Sequence, residues 1–336
     1  MEPPASSSSP RDAEAAPFAW ARPGTFEEIA PGVARLEIGF VNVYALGTPG
    51  GPWVLVDTGL PRGKASIKRA AQERFGTGAS AIVLTHGHFD HAGNARALSD
   101  EWDAPVYAHS AELPFLTGRS DYPPPDPTPG GAICFLARFF SREGWDLGER
   151  AQALPQDEGA GSREQGSVPE ASGDWRWIHT PGHTPGHVSL FRERGDGRRV
   201  LLAGDALATM DLDSWATQVT HTQRLSHPPT PFTPDWQAAR RSLEQLAALE
   251  PTVIGAGHGP PLTASGTAAR LRHFVEHRFT LPRRGRYAAA PIEADADTGI
   301  TYVPPPVDDP LPRRLVAGAV ALSGIALGVA LLRRRR

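Results

Sequence analysis

The stretch THGHFDH, residues 85–91, follows the apolar run AIVL and gathers three histidines and one aspartate into seven positions. That density restricts what the chain can fold into, because α/β architectures present ligands on the loops that leave the carboxyl ends of buried strands. His86 and His88, alternating in extended backbone, point the same way, while Asp90 and His91 at the turn face a second point a few ångströms off. Two cations fit such a loop, and Gly87 removes side-chain bulk beside them. A lone histidine is more often a hydrogen-bonded core or surface residue than a ligand. Here the company decides: HTPGHTPGH at 179–187, GDA at 204–206 and GAGHG at 255–259 follow in order, each at the end of an expected strand.

The chain between these motifs alternates short apolar strands with helices, which is an α/β pattern. Strands are expected in 32–46, 52–59, 80–86, 104–109, 174–180, 187–193 and 198–206, where β-branched residues run between turn glycines. Ile67, Ala70, Ala71 and Phe75 predict a helix over 64–76, and further helices are expected over 91–102, from Pro234 to Leu249 with Thr233 as its cap, and near 264–279. No fixed-period repeat appears, which excludes solenoids and propellers. The net charge is −3 and the only lysines are Lys64 and Lys68. Nothing in that balance draws the chain to nucleic acid. Cys134 stands alone, so no internal disulfide forms and a reducing compartment fits.

The two ends read differently. Residues 1–22, rich in Pro, Ser and Ala without apolar periodicity, are expected to be a disordered tail, and they lack the apolar core of a signal peptide. Residues 315–332 form 18 uncharged positions between arginine pairs and clusters. At 1.5 Å per residue they span about 27 Å, near the roughly 30 Å hydrocarbon thickness. The expectation is a single-pass C-terminal membrane anchor within 313–336, joined by a Pro-rich linker, 286–312, to a cytoplasmic catalytic domain, 23–285. A buried C-terminal helix is the alternative.

Together the four motifs resemble the metallo-β-lactamase superfamily of hydrolases over about residues 25–280, with a glyoxalase II-like ligand set, HxHxDH…H…D…H. The resemblance implies a four-layer αββα sandwich of two mixed sheets, with metal at one rim. Carried over by position, His86, His88 and His183 would bind one ion and Asp90, His91 and His258 a second, with Asp205 between them. Asp57, in VDTG, would orient a metal histidine through its other ring nitrogen. The implied chemistry is hydrolysis of an ester, lactone or thioester by a hydroxide that bridges two divalent ions, zinc first and iron or manganese also compatible. Asp90 would orient that hydroxide and carry a proton to the leaving group.

Departures from known members narrow this further. True β-lactamases usually carry cysteine or serine where this chain has Asp205 or Asp90, and Cys134 lies far from both motifs. Only 53 positions separate Asp205 from His258, too few for the inserted domain of the nucleases. The Pro/Gly-rich stretch 110–145 and the stretch 210–234 are too long for plain connections and are expected to wall or cover the site, with Trp215, His221 and Phe232 as candidate pocket residues. HRFTLPRRGRY, 277–287, offers arginines to an anionic substrate or to a solvated surface. Two other readings stand beside the hydrolase: a mononuclear iron sulfur dioxygenase of the persulfide-oxidising kind, and a non-catalytic membrane-tethered metal-binding protein.

Overall fold

The structure, a computed structural model, describes residues 24–157, 164–171 and 173–309. The expected tail 1–22 and the apolar run 315–332 lie outside the described residues. Seven strands form the first sheet in chain order: β1 (Glu27–Ala30), β2 (Val33–Ile38), β3 (Val41–Gly47), β4 (Trp53–Val56), β5 (Ala81–Val83), β6 (Val106–Ala108) and β7 (Ala151–Ala153). Its first four strands are antiparallel neighbours, and β4 to β7 run parallel. The second sheet has the order β14-β11-β10-β9-β8, from β8 (Gln165–Ser167), β9 (Arg176–His179), β10 (Val188–Glu193), β11 (Arg199–Leu202) and β14 (Val253–Gly255). Only β11 and β14 are parallel there.

Alternation along the strands builds three apolar layers. Val33, Tyr44, Leu46, Val54 and Val83 of the first sheet share one core with Trp177, Val188, Leu190 and Val200 of the second, so the sheets pack face to face. The other side of the first sheet is covered by α1 (Lys64–Phe75) and by α3 (Ala95–Trp102), which follows the single turn α2 (Phe89–Ala92). α1 forms where the spacing predicts it: Ile67, Ala70, Ala71 and Phe75 are buried, and Gly76, at φ 73°, ends the helix in the left-handed conformation. Beyond the short turns α4 (Leu113–Leu116), α5 (Ala132–Leu136) and α6 (Trp215–Thr220), α7 (Trp236–Ala248) and α8 (Thr267–His277) cover the outer face of the second sheet. The αββα sandwich implied by the family resemblance is therefore the observed architecture.

Two hairpins complete it. β12 (Ala208–Met210) pairs with β13 (Gln223–Ser226) beside the site. After α9 (Arg286–Ala289), in the stretch expected as a linker, β15 (Glu293–Asp295) pairs with β16 (Gly299–Tyr302), while Ile292 and Val303 pack on the second-sheet core.

The expected membrane anchor is corrected. Among the described residues no helix is long and apolar enough to cross a membrane. The longest, α7, has 13 residues, about 20 Å against a core of roughly 30 Å. It also keeps a polar face toward solvent, and its buried residues are those that meet the second sheet. The C-terminal transmembrane helix, the membrane partner and the single-pass membrane location, together with the membrane-tethered alternative built on them, have no support in the fold.

Candidate metal centre

The expected ligands come from four chain segments that end at one rim of the sandwich. His86 to His91 leave the carboxyl end of β5, His183 lies in the β9–β10 turn, and Asp205 and His258 follow the parallel strands β11 and β14. All seven side chains meet there except that His88 is part-exposed, the rest being buried. His183 Nε2 stands 3.0 Å from His88 Nδ1 and 3.2 Å from His86 Nε2. Asp205 Oδ2 stands 3.5 Å from His183 Nε2, 3.5 Å from His91 Nε2 and 3.2 Å from His258 Nε2. Asp90 Oδ2 closes the far side, 3.5 Å from His258 Nε2. The donors thus form two nests, His86/His88/His183 and Asp90/His91/His258, with Asp205 between them.

Hydrogen bonds on the outer ring nitrogens fix which nitrogen faces inward. His91 Nδ1–H donates to Asp57 Oδ2 at 2.8 Å, and His258 Nδ1–H donates to the carbonyl of Phe40 at 3.0 Å. His86 Nδ1 meets the Thr85 hydroxyl at 3.1 Å, and that hydroxyl donates to Asp57. Asp57 also accepts the Thr85 backbone N–H at 2.8 Å, and it sits at φ 60°, a left-handed conformation that aspartate tolerates better than most residues. Second ring nitrogens held this way leave the inner lone pairs free for a metal.

Electrostatics divide the centre in two. Burial, helped by repulsion from neighbouring imidazoles, holds His86 and His183 well below the ordinary histidine range and His88 at about 3, so these three are neutral donors. Burial works against charge on His91 and His258 too, but Asp205 and the other carboxylates overcome it and raise both. Asp205 is held low by His258 and His91 in spite of its burial. Asp57, Asp90 and Asp205 are buried together, and neither lysine nor arginine salt-bridges any of them among the described residues. Buried carboxylates demand cations or metal.

Whether the residues suit a metal can be tested on atoms left without partners. His91 Nε2 and Asp205 Oδ1 are buried and accept or donate no hydrogen bond, a costly condition unless something else binds there. Gly257 is the cradle beside them: a Cβ at that position would collide with Asp205 Oδ1 and with the His91 ring. Histidine and carboxylate donors with engaged outer nitrogens fit divalent ions of the zinc, iron or manganese kind.

Several residues that shape the centre carried no signal in the sequence. Glu112, fully buried, accepts the Gly87 N–H at 3.0 Å and the Gly186 N–H at 2.9 Å, and Tyr122 donates its hydroxyl to the same carboxylate. It therefore ties the His86–His88 loop to the His183 turn. Asn42 donates to the carbonyls of Ala256 and Gly259 at 2.9 and 2.7 Å and so clamps the His258 loop to β3. Of the other histidines in HTPGHTPGH, His187 accepts the Asp205 N–H at 2.9 Å and holds that backbone in place. His179 instead stacks on His109, centroids 4.1 Å apart, near Glu164. There His109 Nδ1 accepts the Ala111 N–H, so its Nε2–H donates to Glu164 at 2.5 Å, and His179 Nε2–H donates to Pro185 O. With those protons in place the trio works as imidazole–carboxylate bonding and not as an ion site.

A cleft opens over the metal-facing atoms, lined by His88, Asp90, His183, Asp205 and His258 on its floor. Its walls come from the two long stretches expected to cover the site: Ile133, Leu136 and Phe140 from 110–145, and Met210, Leu212 and Phe232 from 210–234. Phe232 thus lines the cleft, Trp215 lies exposed outside it, and His221 ends α6 away from its lining.

Comparison with known proteins gives the family. The family model of the metallo-beta-lactamase superfamily matches residues 36–258. The chain is 44% identical over 260 residues to a probable metallo-hydrolase, YflN, of Bacillus subtilis (strain 168), covering 76% of this chain and 94% of that one. A second probable metallo-hydrolase of that organism, YybB, is 29% identical over 61% of this chain and 74% of its own. Among solved structures, the subclass B3 metallo-beta-lactamase BJP-1 of Bradyrhizobium japonicum matches at 21% identity with a TM-score of 0.46, covering 71% of this chain and 79% of that one.

Proposed function

Since the chain belongs to the metallo-beta-lactamase superfamily and is a metallo-hydrolase, we propose that its centre holds two divalent ions, zinc first, and that it cleaves a carboxylic ester, lactone or thioester. The observation that carries this reading is the pair of donor nests sharing Asp205, with His91 Nε2 and Asp205 Oδ1 left unpartnered inside them. His86, His88 and His183 would hold one ion, Asp90, His91 and His258 the other, and Asp205 both. When bound, such ions supply Lewis acidity, acidifying a water and polarising the scissile carbonyl.

The chain's own residues do the rest. Asp57 and the carbonyl of Phe40 keep the Nδ1 protons of His91 and His258 turned outward, so neither ring can swing its proton into the centre. Asp90 lies on the cleft floor with Oδ2 toward His258, which leaves Oδ1 to orient the attacking water and take its proton. From the cleft floor the Asp90 carboxylate is also placed to pass that proton to the departing alkoxide or thiolate. The apolar walls keep bulk water from the opened carbonyl.

The test is hydrolysis of p-nitrophenyl acetate and a simple lactone by protein purified without chelator, then stripped and reloaded. Turnover should fall by at least about 100-fold on stripping and return with zinc or manganese. Ester cleavage that survives complete metal removal would overturn the proposal, as would turnover that consumes O₂ and a persulfide in place of hydrolysis.

A further inference from the structure

The cleft above the centre is chemically one-sided. Four phenylalanines from four separate segments converge over the histidines: Phe140 lies 5.1 Å from Phe89, 6.1 Å from Phe232 and 6.4 Å from Phe40, ring centre to ring centre. Phe40 in turn stacks on His258 at 5.9 Å, and Phe232 reaches His88 at 5.6 Å. Ile133 and Leu136 extend this wall. Outside the ligand residues the polar lining is confined to Ser141 and Gln218, and Gln218 already donates to the carbonyl of Leu212. No lysine or arginine lines the cleft among the described residues.

The apolar surface continues outward. Next to Leu136 and Phe140, Phe135 is 37%, Phe139 75% and Trp215 57% exposed, and Phe135 touches both of the others at 6.2 and 5.8 Å between centroids. Exposed aromatic groups clustered at the mouth of a reactive cleft point to something apolar that they receive.

We infer that the substrate is an uncharged ester or lactone bearing an aliphatic chain of several carbons, which lies along Phe140, Phe232 and Leu136 and leaves the cleft over Phe135 and Trp215. The inference rests on the hydrolytic reading above. An anionic group lying inside the cleft would be stripped of water near Asp90 and Asp205 with no lysine or arginine in the lining to meet it; Arg138, 5.8 Å over the Phe135 ring, stands only at the mouth and is already paired with Asp309. A methylene gains instead, up to about fourfold in binding when fully buried. This separates the enzyme from thioesterases that grip a charged carrier inside the cleft.

The experiment uses the metal-loaded full chain and a p-nitrophenyl series of acetate, butyrate, hexanoate and octanoate. Relative kcat/KM should rise by at least about tenfold from acetate to octanoate, mostly through KM. The octanedioate half-ester, with a terminal carboxylate, should fall well below octanoate. Leu136→Gln and Phe139→Ser should each flatten the series with metal content unchanged; Phe139 is exposed enough that folding is not at stake. Octan-1-ol reads the cleft without turnover, and it should stabilise the wild type saturably against heat and the Leu136→Gln chain less. A flat ester series without octanol stabilisation, in a chain that still hydrolyses acetate, would overturn the inference and leave the hydrolase standing. Octanol stabilisation in a chain that cleaves no ester would support the apolar cleft and contradict the hydrolytic reading.

Discussion

Glu112 joins two loops that the sequence separates widely. Its partners Gly87 and Gly186 lie 25 and 74 positions away, and no local pattern marks it. Burial pushes its carboxyl pKa upward, and the donors from Tyr122 and the two backbone N–H groups oppose that push. Glu112→Ala leaves the Gly186 N–H and the Tyr122 O–H buried without that acceptor, while Gly87 N–H keeps the Tyr122 hydroxyl oxygen at 2.9 Å; each group stranded costs about 1–3 kcal/mol. We expect a loss of about 2–5 kcal/mol in urea unfolding and a metal affinity weaker by about 10- to 100-fold in chelator competition. A variant as stable as wild type with undiminished affinity would remove Glu112 from the account. Asp57→Asn should keep the fold, since asparagine also tolerates φ 60°, but weaken metal binding by about 10- to 100-fold through His91. The two residues differ in legibility for a physical reason. Asp57 ends an apolar strand in VDTG and could be placed from the motif, whereas Glu112, Tyr122 and Asn42 act through contacts that only the tertiary fold creates.

The elements most exposed to test are the two walls of the cleft, which are fastened to each other. Ala132 N and Ile133 N donate to the carbonyls of Asp213 and Leu212, and Thr230 donates its hydroxyl to Asp213 Oδ2 at 2.7 Å. Burial raises the Asp213 pKa from 3.8 to about 6, with Asp211 adding to the rise. Because the folded state binds this proton more tightly, Asp213 stabilises the walls fully below about pH 4, and the contribution is lost as pH rises through about 6. Asp213→Asn should therefore raise Tm at pH 8, by about 2–4 °C for each kcal/mol recovered, and change it little at pH 4. An equal shift at both pH values would contradict the assignment. At this scale the sequence was legible in element type and less so in boundaries. The helix expected over 91–102 is broken at Gly93 and Asn94, because Gly93 lies against Gly59 and Asn94 Nδ2 donates to the carbonyls of Thr58 and Leu60. The cap of α7 is Asp235, which accepts the Ala238 N–H, while Thr233 turns toward Pro229 and His183.

At the scale of the whole molecule, parallel strands from both sheets bring their carboxyl ends to one rim, so that β5, β11 and β14 deliver His86, Asp205 and His258 to the same place. The sandwich was readable only through the family resemblance that the four motifs carry; the alternation of strands and helices by itself gave an α/β pattern and no sheet order. The membrane anchor rested on an uncharged run of 18 residues between arginines, 315–332, which lies outside the described residues, and the described fold contains no such span. Seven side chains would form one centre for two ions that share Asp205. Metal content of chelator-free preparations, measured by mass spectrometry on wild type, Asp205→Ala and His258→Ala, addresses it directly. Two equivalents are expected in the wild type, a fall at both positions in Asp205→Ala, and retention of about one equivalent in His258→Ala, since only the Asp90/His91 nest loses a donor. A single equivalent in the wild type that neither replacement disturbs would contradict it.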